Sequence, residues 1–266
     1  MQGTHINHAR CCQSAAVDAP CRSQANGLEA HQAKDQDAAI SREGPPTLNG
    51  RQLPIVLALG TTQTLAWASS YYLPAILADP IARDLGISAN WIFAAFSTSL
   101  VLSAVIGPAV GRQIDLVGGR PVLALSNLTL AAGLALLGFT TSVPMLIVAW
   151  LLLGFGMGCG LYDAAFAALG RIYGDGARAA ITGITLMAGF ASTVGWPLTA
   201  LGLEKIGWRD TCLAWAAAHM LLGLPLNLVF LPAVKPARTE TAAAARPHVP
   251  LDRLGLMAPG AIPASD

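Results

Sequence analysis

The acidic residue Asp163 has the clearest potential for chemistry, because it lies in a long apolar stretch that holds no other acid. A carboxylate in such surroundings could bind a proton, a cation or the basic group of a small molecule. The competing interpretation is that Asp163 is hydrated near a helix end or paired with Arg171. Eight residues separate the two, about 12 Å along a helix axis, so direct pairing along one helix is not expected.

The remaining polar residues do not form a recognisable catalytic or cofactor site. There is no Ser/His/Asp arrangement, metal-ligand spacing or phosphate-binding loop. His5, His8, Cys11 and Cys12 are ligand-type residues scattered in a polar segment, whereas a zinc site needs paired ligands in a folded context. The five cysteines are an odd number without framework spacing, which argues against a disulfide scaffold. We expect no enzyme, no cofactor and no metal.

The composition favours a membrane protein. Hydrophobic residues make up 54% of the 266 residues and charged residues only 12%, about half the roughly 25% that is usual in soluble domains. These values exclude a disordered chain and argue against an ordinary soluble enzyme. The 16 basic and 15 acidic residues nearly cancel, so the net charge gives no reason to expect a nucleic-acid partner.

Long uncharged runs predict six transmembrane helices, since a helix needs about 20 apolar residues to cross a bilayer. One run holds two spans, separated at 140–144 by a polar turn and a proline that is typical of a helix start. The predicted spans are 54–78, 90–110, 121–140, 143–169, 179–202 and 211–233. They form a six-helix domain over residues 51–234, between disordered cytoplasmic tails over 1–50 and 235–266.

The basic residues of the short loops predict the orientation of these spans. With the N-terminus inside, the inner flanks carry Arg51, Arg112, Arg120, Arg171, Arg178, Lys235 and Arg238, and the outer loops carry Arg83, Lys205 and Arg209. This excess favours cytoplasmic termini. The expected location is a membrane, with the lipid bilayer as the main partner.

The chain also contains an internal repeat. A shift of 89 residues aligns two loops with the pattern carboxylate-x-x-Gly-x-Arg. The aligned pairs are Asp115 with Glu204, Gly118 with Gly207, Arg120 with Arg209 and Pro108 with Pro197. Because each unit has three spans, the second must be inverted relative to the first, which is typical of secondary transporters. Chance identity in Gly- and Ala-rich helices is the alternative, and the shared loop pattern favours the repeat.

The first of these loops reads GRQIDLVGGR over residues 111–120. It resembles the signature loop of the major facilitator superfamily, whose pattern is roughly G-x-L-x-D-R-x-G-R-R/K. Gly111, Asp115, Gly118 and Arg120 match the pattern, whereas residues 113, 116 and 119 depart from it. The alternative is an ordinary charged membrane turn. Residues 67–74 and 158–163 also resemble bacterial members, so the similarity covers about 54–232. This resemblance implies the inner membrane of a bacterium as the location.

The resemblance implies an all-α integral membrane fold, in which six transmembrane helices form two inverted three-helix repeats, the N-terminal domain of the family. It implies secondary active transport of an unknown small solute by alternating access. Spans 1 and 4 line the central cavity in this family, which nominates Gln63, Tyr71, Tyr72, Tyr162 and Asp163 as candidate solute or ion contacts. An aromatic belt at the outer interface is the alternative for Tyr71 and Tyr72.

Other polar and small residues are expected to serve helix packing. Spans 3 and 6 are peripheral in the family, so Asn127 and His219 are expected to pack or to hydrogen-bond between helices rather than relay protons. Span 4 contains two overlapping G-x-x-x-G pairs, which allow close approach of neighbouring helices. The four glycines are Gly154, Gly156, Gly158 and Gly160.

Members of this family usually have two six-helix halves, and only the first resembles this chain. We therefore expect the second half to be missing here. Transport would then require a second half, either from a homodimer or from a separate chain. The alternative function is that of a truncated, non-transporting membrane remnant or scaffold subunit.

Overall fold

The computed structural model of the protein describes residue 50 and residues 52–233, apart from the side chain of Asp175. The predicted tails and the residues His5, His8, Cys11 and Cys12 lie outside this part of the chain. Within it the structure is helical and contains no strand. The helices are α1 (Leu53–Ala66), α2 (Pro74–Leu85), α3 (Ala89–Val117), α4 (Gly119–Gly138), α5 (Val143–Gly160), α6 (Tyr162–Tyr173), α7 (Ala177–Ala188), α8 (Ala191–Ala218) and α9 (Leu224–Phe230).

Four helical segments among the described residues are long and apolar enough to cross a membrane. They are Ala89–Val117, Gly119–Gly138, Val143–Tyr173 and Ala177–Phe230. The last is 54 residues long but contains a non-helical backbone at Gly207. The first predicted span is not among them; there, α1 and α2 are separate helices with a π-helical turn at Trp67–Tyr71 between them.

Several helices extend beyond their predicted spans. The first span was predicted to end at residue 78, but α2 continues to Leu85 and ends at Gly86, whose φ of 66° is left-handed. The second was predicted over 90–110, but α3 runs to Val117. The added turns carry charged residues such as Asp84 and Arg112. Hydropathy limits a span to its apolar part, whereas the helix itself continues to the next glycine.

Two glycines with the same unusual backbone end long helices of the bundle. Gly118 has φ 89° and ψ 164° between α3 and α4. Gly207 has φ 82° and ψ 168° within α8. This region is essentially restricted to glycine. The two residues are the pair that the 89-residue shift aligns.

The apolar interior forms two clusters. One includes Leu77, Leu134 and Trp150, and the other includes Leu59 and Ile114. Along α4, Leu123 belongs to the second cluster and Leu130 to the first, and the buried residue Asn127 lies between them. The buried polar side chain of Asn127 thus lies between the two apolar clusters.

The four glycines of α5 pack against two different helices. A Cβ on Gly154 or Gly158 would collide with α3, at Ser99 in the first case and at Ile106 in the second. A Cβ on Gly156 or Gly160 would collide with α4, at Leu130 and at Ser126 respectively. Each G-x-x-x-G pair therefore gives α5 close contact with one neighbour, and α5 lies between α3 and α4.

Replacement of Gly207 by alanine tests the strain at this turn. A Cβ at Gly207 meets no atom within 4 Å, so only the backbone conformation opposes the change. We expect Gly207→Ala to destabilise the protein by about 1–3 kcal/mol, measured as a lower thermal midpoint in detergent. The control is Gly170→Ala, which also has open space but lies in the regular helix α6. Equal thermal midpoints for Gly207→Ala and Gly170→Ala would contradict the conclusion that the backbone at Gly207 requires glycine.

Candidate functional site

The helical segment formed by α5 and α6 is interrupted at Leu161, whose φ and ψ are −76° and −168°. The residues after the break begin a new helix, so their first N–H groups have no partner within that helix. On the other side of the break, the carbonyl of Gly160 accepts a hydrogen bond from Nε2 of Gln63, at 2.5 Å. The hydroxyl of Ser126 donates to the carbonyl of Gly156, at 2.7 Å. Side chains of α1 and α4 thus stabilise the interrupted backbone.

A cleft of about 640 Å³ opens beside this break. Residues of the π-helical turn, of α3 and of the α5–α6 junction line it: Trp67, Leu100, Ser103, Ala104, Gly107, Pro108, Met157, Gly158, Leu161, Tyr162 and Asp163. Asp163 is the charged residue of this lining. It is exposed and occupies the first turn of α6, where the positive end of the helix dipole interacts favourably with a carboxylate.

The structure places the predicted cavity residues in three different settings. Tyr162 and Asp163 line the cleft. Gln63 is only 1% exposed and lies under the break rather than on the cleft wall. Tyr71 and Tyr72 are joined to the cleft through Trp67, with ring centroids 5.1 and 6.2 Å from the Trp67 ring.

Trp67 is the centre of an aromatic cluster that sequence reasoning did not identify as a site. Its ring centroid lies 4.9 Å from that of Tyr162, which stacks on Phe166 at 5.3 Å with an interplanar angle of 13°. Tyr71 also meets Phe96 edge-on at 5.5 Å. The cluster fixes the junction of α1 and α2 against α3 and α6. In the sequence, Trp67 belongs to the segment 67–74, which supports the family resemblance but was not identified as part of a site.

The two loops of the repeat differ in their contacts. In the first, Asp115 is exposed and Arg120 half-buried, and no ion pair joins them within the described part of the chain. In the second, Arg209 donates to the carbonyls of Gly138 at 3.0 Å and Thr140 at 2.7 Å, and to Asp84 Oδ2 at 2.7 Å. Arg209 therefore holds the ends of α2 and α4 together.

The counterpart acid of that loop, Glu204, has a weaker contact. Its carboxylate lies 3.4 Å from Nζ of Lys205, and both side chains are largely exposed. Exposed pairs of this kind contribute little to stability. The loop is therefore held through Arg209 and through the backbone at Gly207.

His219 and Asn127 form hydrogen bonds between helices, as expected. His219 Nδ1 lies 2.9 Å from Asn127 Oδ1, and Nε2 lies 2.8 Å from the Ser69 hydroxyl. The Asn127 amide nitrogen donates to the Leu123 carbonyl at 2.9 Å, so Oδ1 faces the imidazole. An amide oxygen only accepts, which assigns the donating proton to Nδ1. This buried network joins the π-helical turns of the first and last spans to α4.

Comparison with known proteins agrees with this architecture. The sequence profile of the Major Facilitator Superfamily matches residues 59–260. The chain belongs to the Major Facilitator Superfamily. Family membership confirms the expectation from the signature loop, and it places the chain in a transporter family rather than an enzyme family.

Three curated relatives are similar over part of their length. An uncharacterized 38 kDa protein in the 23S RNA operon of Thermoproteus tenax is 32% identical over 58% of this chain and 40% of its own length. The facilitated glucose transporter member 10 of solute carrier family 2 from Mus musculus is 31% identical over 62% of this chain and 30% of its own. The oxalate:formate antiporter of Oxalobacter formigenes is 31% identical over 59% and 35%. The chain matches between 30% and 40% of the length of these relatives.

Replacement of Gln63 tests the support of the helix break. Gln63→Leu removes the donor to the Gly160 carbonyl and leaves a buried acceptor without a partner, which costs about 1–3 kcal/mol. It also removes Gln63 Oε1, which is buried without a partner, so the net loss lies toward the lower end of this range. We expect a lower thermal midpoint in detergent. Gln113→Leu, at an exposed position of α3, is the matched control and should leave the midpoint nearly unchanged. If both variants melt with the wild type, the bond does not support the break.

Proposed function

We propose that the chain forms the solute-binding half of a secondary transporter, which moves a small solute across a membrane by alternating access. The observation that carries this proposal is the cleft at the interrupted helix α5–α6, within a chain of the Major Facilitator Superfamily. Secondary transporters characteristically place their sites at interrupted helices near the middle of the membrane. Two of the relatives are named as transporters, for glucose and for oxalate and formate.

The proposed architecture has six spans in two inverted three-helix repeats. The first span combines α1 and α2 across the π-helical turn, and the break at Gly207 divides the segment Ala177–Phe230 into the fifth and sixth. The shift of 89 residues that aligns Gly118 with Gly207 also aligns Tyr72, after the π-helical turn, with the break at Leu161. These recurring irregularities support the repeat, because sequence composition alone does not produce them.

The proposed location is a bacterial inner membrane, with both termini in the cytoplasm. The excess of basic residues on the inner flanks supports this orientation. A second six-helix unit, from a second copy of the chain or from another polypeptide, would face the cleft and complete the path. The two units would then rock around the solute, with the helices of this chain moving as a body.

Uptake by reconstituted vesicles tests this function. Vesicles that contain the full chain are assayed with a panel of labelled sugars, carboxylates and amines, with and without a proton gradient. We expect uptake of at least one solute, and Asp163→Asn should lower it at least tenfold because the charged residue of the cleft is lost. Asp79→Asn, an exposed acid on α2 away from the cleft, is the control and should transport normally.

Two results would contradict parts of this account. Unchanged uptake and coupling in Asp163→Asn would remove Asp163 from the mechanism. Vesicles that take up no solute, although they hold folded protein, would contradict transport by copies of this chain alone and would leave a second polypeptide or a membrane scaffold.

A further inference from the structure

We propose that the cleft beside Asp163 binds an organic cation, with a protonated amine or quaternary onium group next to the carboxylate and an apolar body along Trp67 and Tyr162. This inference rests on the proposed function, because it names the class of solute. It concerns binding, however, and can be tested without transport.

The charge of the cleft selects the sign of the ligand. Asp163 is the charged residue of the lining, and no hydrogen bond or ion pair within the described residues joins its side chain. Basic residues are absent from that lining. An exposed carboxylate without an ion-pair partner is available to pair with a bound cation. The same carboxylate would repel a dianion such as oxalate, so we do not expect a dianion to bind in this cleft.

The aromatic wall favours an organic cation over a small inorganic one. Indole is the ring that attracts cations most strongly, and onium groups bind well against aromatic faces. Trp67 and Tyr162 both line the cleft and are in ring contact at 4.9 Å. Phe166 stacks behind Tyr162 and thereby fixes the orientation of that ring. The wall is formed before any ligand arrives, which reduces the entropy lost on binding.

The rest of the lining argues against a metal ion as the ligand of Asp163. Ca²⁺ needs six to eight oxygen ligands, whereas no group of three or more metal-ligating residues occurs in the described part of the chain. Most other lining residues are apolar or small, including Leu100, Ala104 and Met157. The volume of about 640 Å³ lies within the range of pockets for drug-sized molecules. The lining therefore suits an amphiphilic cation with one charged centre.

The test compares two probes of the same shape and opposite charge. Binding of tetraphenylphosphonium and tetraphenylborate is measured by equilibrium dialysis with the full chain in lipid nanodiscs, and binding to empty nanodiscs is subtracted. We expect the phosphonium to bind at least tenfold more tightly than the borate. This comparison uses the wild-type protein and does not depend on any variant folding.

Variants assign the effect to individual residues. Asp163→Asn should weaken phosphonium binding at least tenfold and leave borate binding unchanged or stronger. Trp67→Leu should weaken phosphonium binding about three- to tenfold through loss of the cation–π contact. Asp79→Asn is the control and should bind as the wild type does. Size-exclusion profiles and thermal midpoints confirm that each variant is folded.

The outcomes separate this proposal from the proposed function. Equal affinities for the two probes, or equal phosphonium affinities in wild type and Asp163→Asn, would overturn the cation site. This holds even if the vesicles take up another solute, so the cation site can fail while the proposed transport function stands. Selective phosphonium binding in a protein that transports nothing would support the cation site and contradict transport by this chain alone.

Discussion

The hydrogen bond from Gln63 to the Gly160 carbonyl is the contact on which the site depends. In a bilayer, a backbone group without a partner is costly, so irregular backbone occurs only where protein or a water-filled cavity satisfies it. The break at Leu161 meets this requirement on both sides. The carbonyl side is satisfied by Gln63 and the amide side opens at the cleft, where Asp163 occupies the first turn of α6. Without the break, the residues from Tyr162 onward would continue the turn of α5 and lose their present direction.

The surrounding interior keeps this irregular region in place. Its two apolar clusters lie on either side of a polar layer in which His219, Asn127 and Ser69 are hydrogen-bonded across three spans. Polar bonds of this kind join helices in a membrane, where the hydrophobic effect does not. The glycines of α5 add close packing against α3 and α4. The cleft beside Asp163 is thus a charged surface on a bundle held by these packing and hydrogen-bond contacts.

The sequence predicts the helices and their packing better than it predicts the candidate functional site. Long uncharged runs and the glycine spacing of α5 depend on local composition, and they correctly indicate helices and their packing. The turns at Gly118 and Gly207 also follow from the loop pattern. The helix ends extend beyond the predicted spans because hydropathy does not register the charged turns that follow an apolar run, as at Asp84.

The break at Leu161 and the role of Gln63 could not be predicted in the same way. No proline marks the break, and its partner lies 97 residues away in the chain. Family resemblance placed Gln63 on the cavity wall, but its side chain faces the Gly160 carbonyl instead. Trp67 was likewise part of a recognised segment, and only the fold brings it against Tyr162. Such contacts depend on tertiary packing, which local sequence patterns do not encode.

Hydrogen–deuterium exchange of the full chain in lipid nanodiscs tests the central claim, that α5–α6 is interrupted inside the membrane beside a hydrated cleft. We expect fast exchange at the amides of 162–164, which lack helical partners at the start of α6, between protected stretches at 150–157 and 166–170. Uniform protection from 150 to 170 would show an unbroken, lipid-sealed helix and would contradict the account.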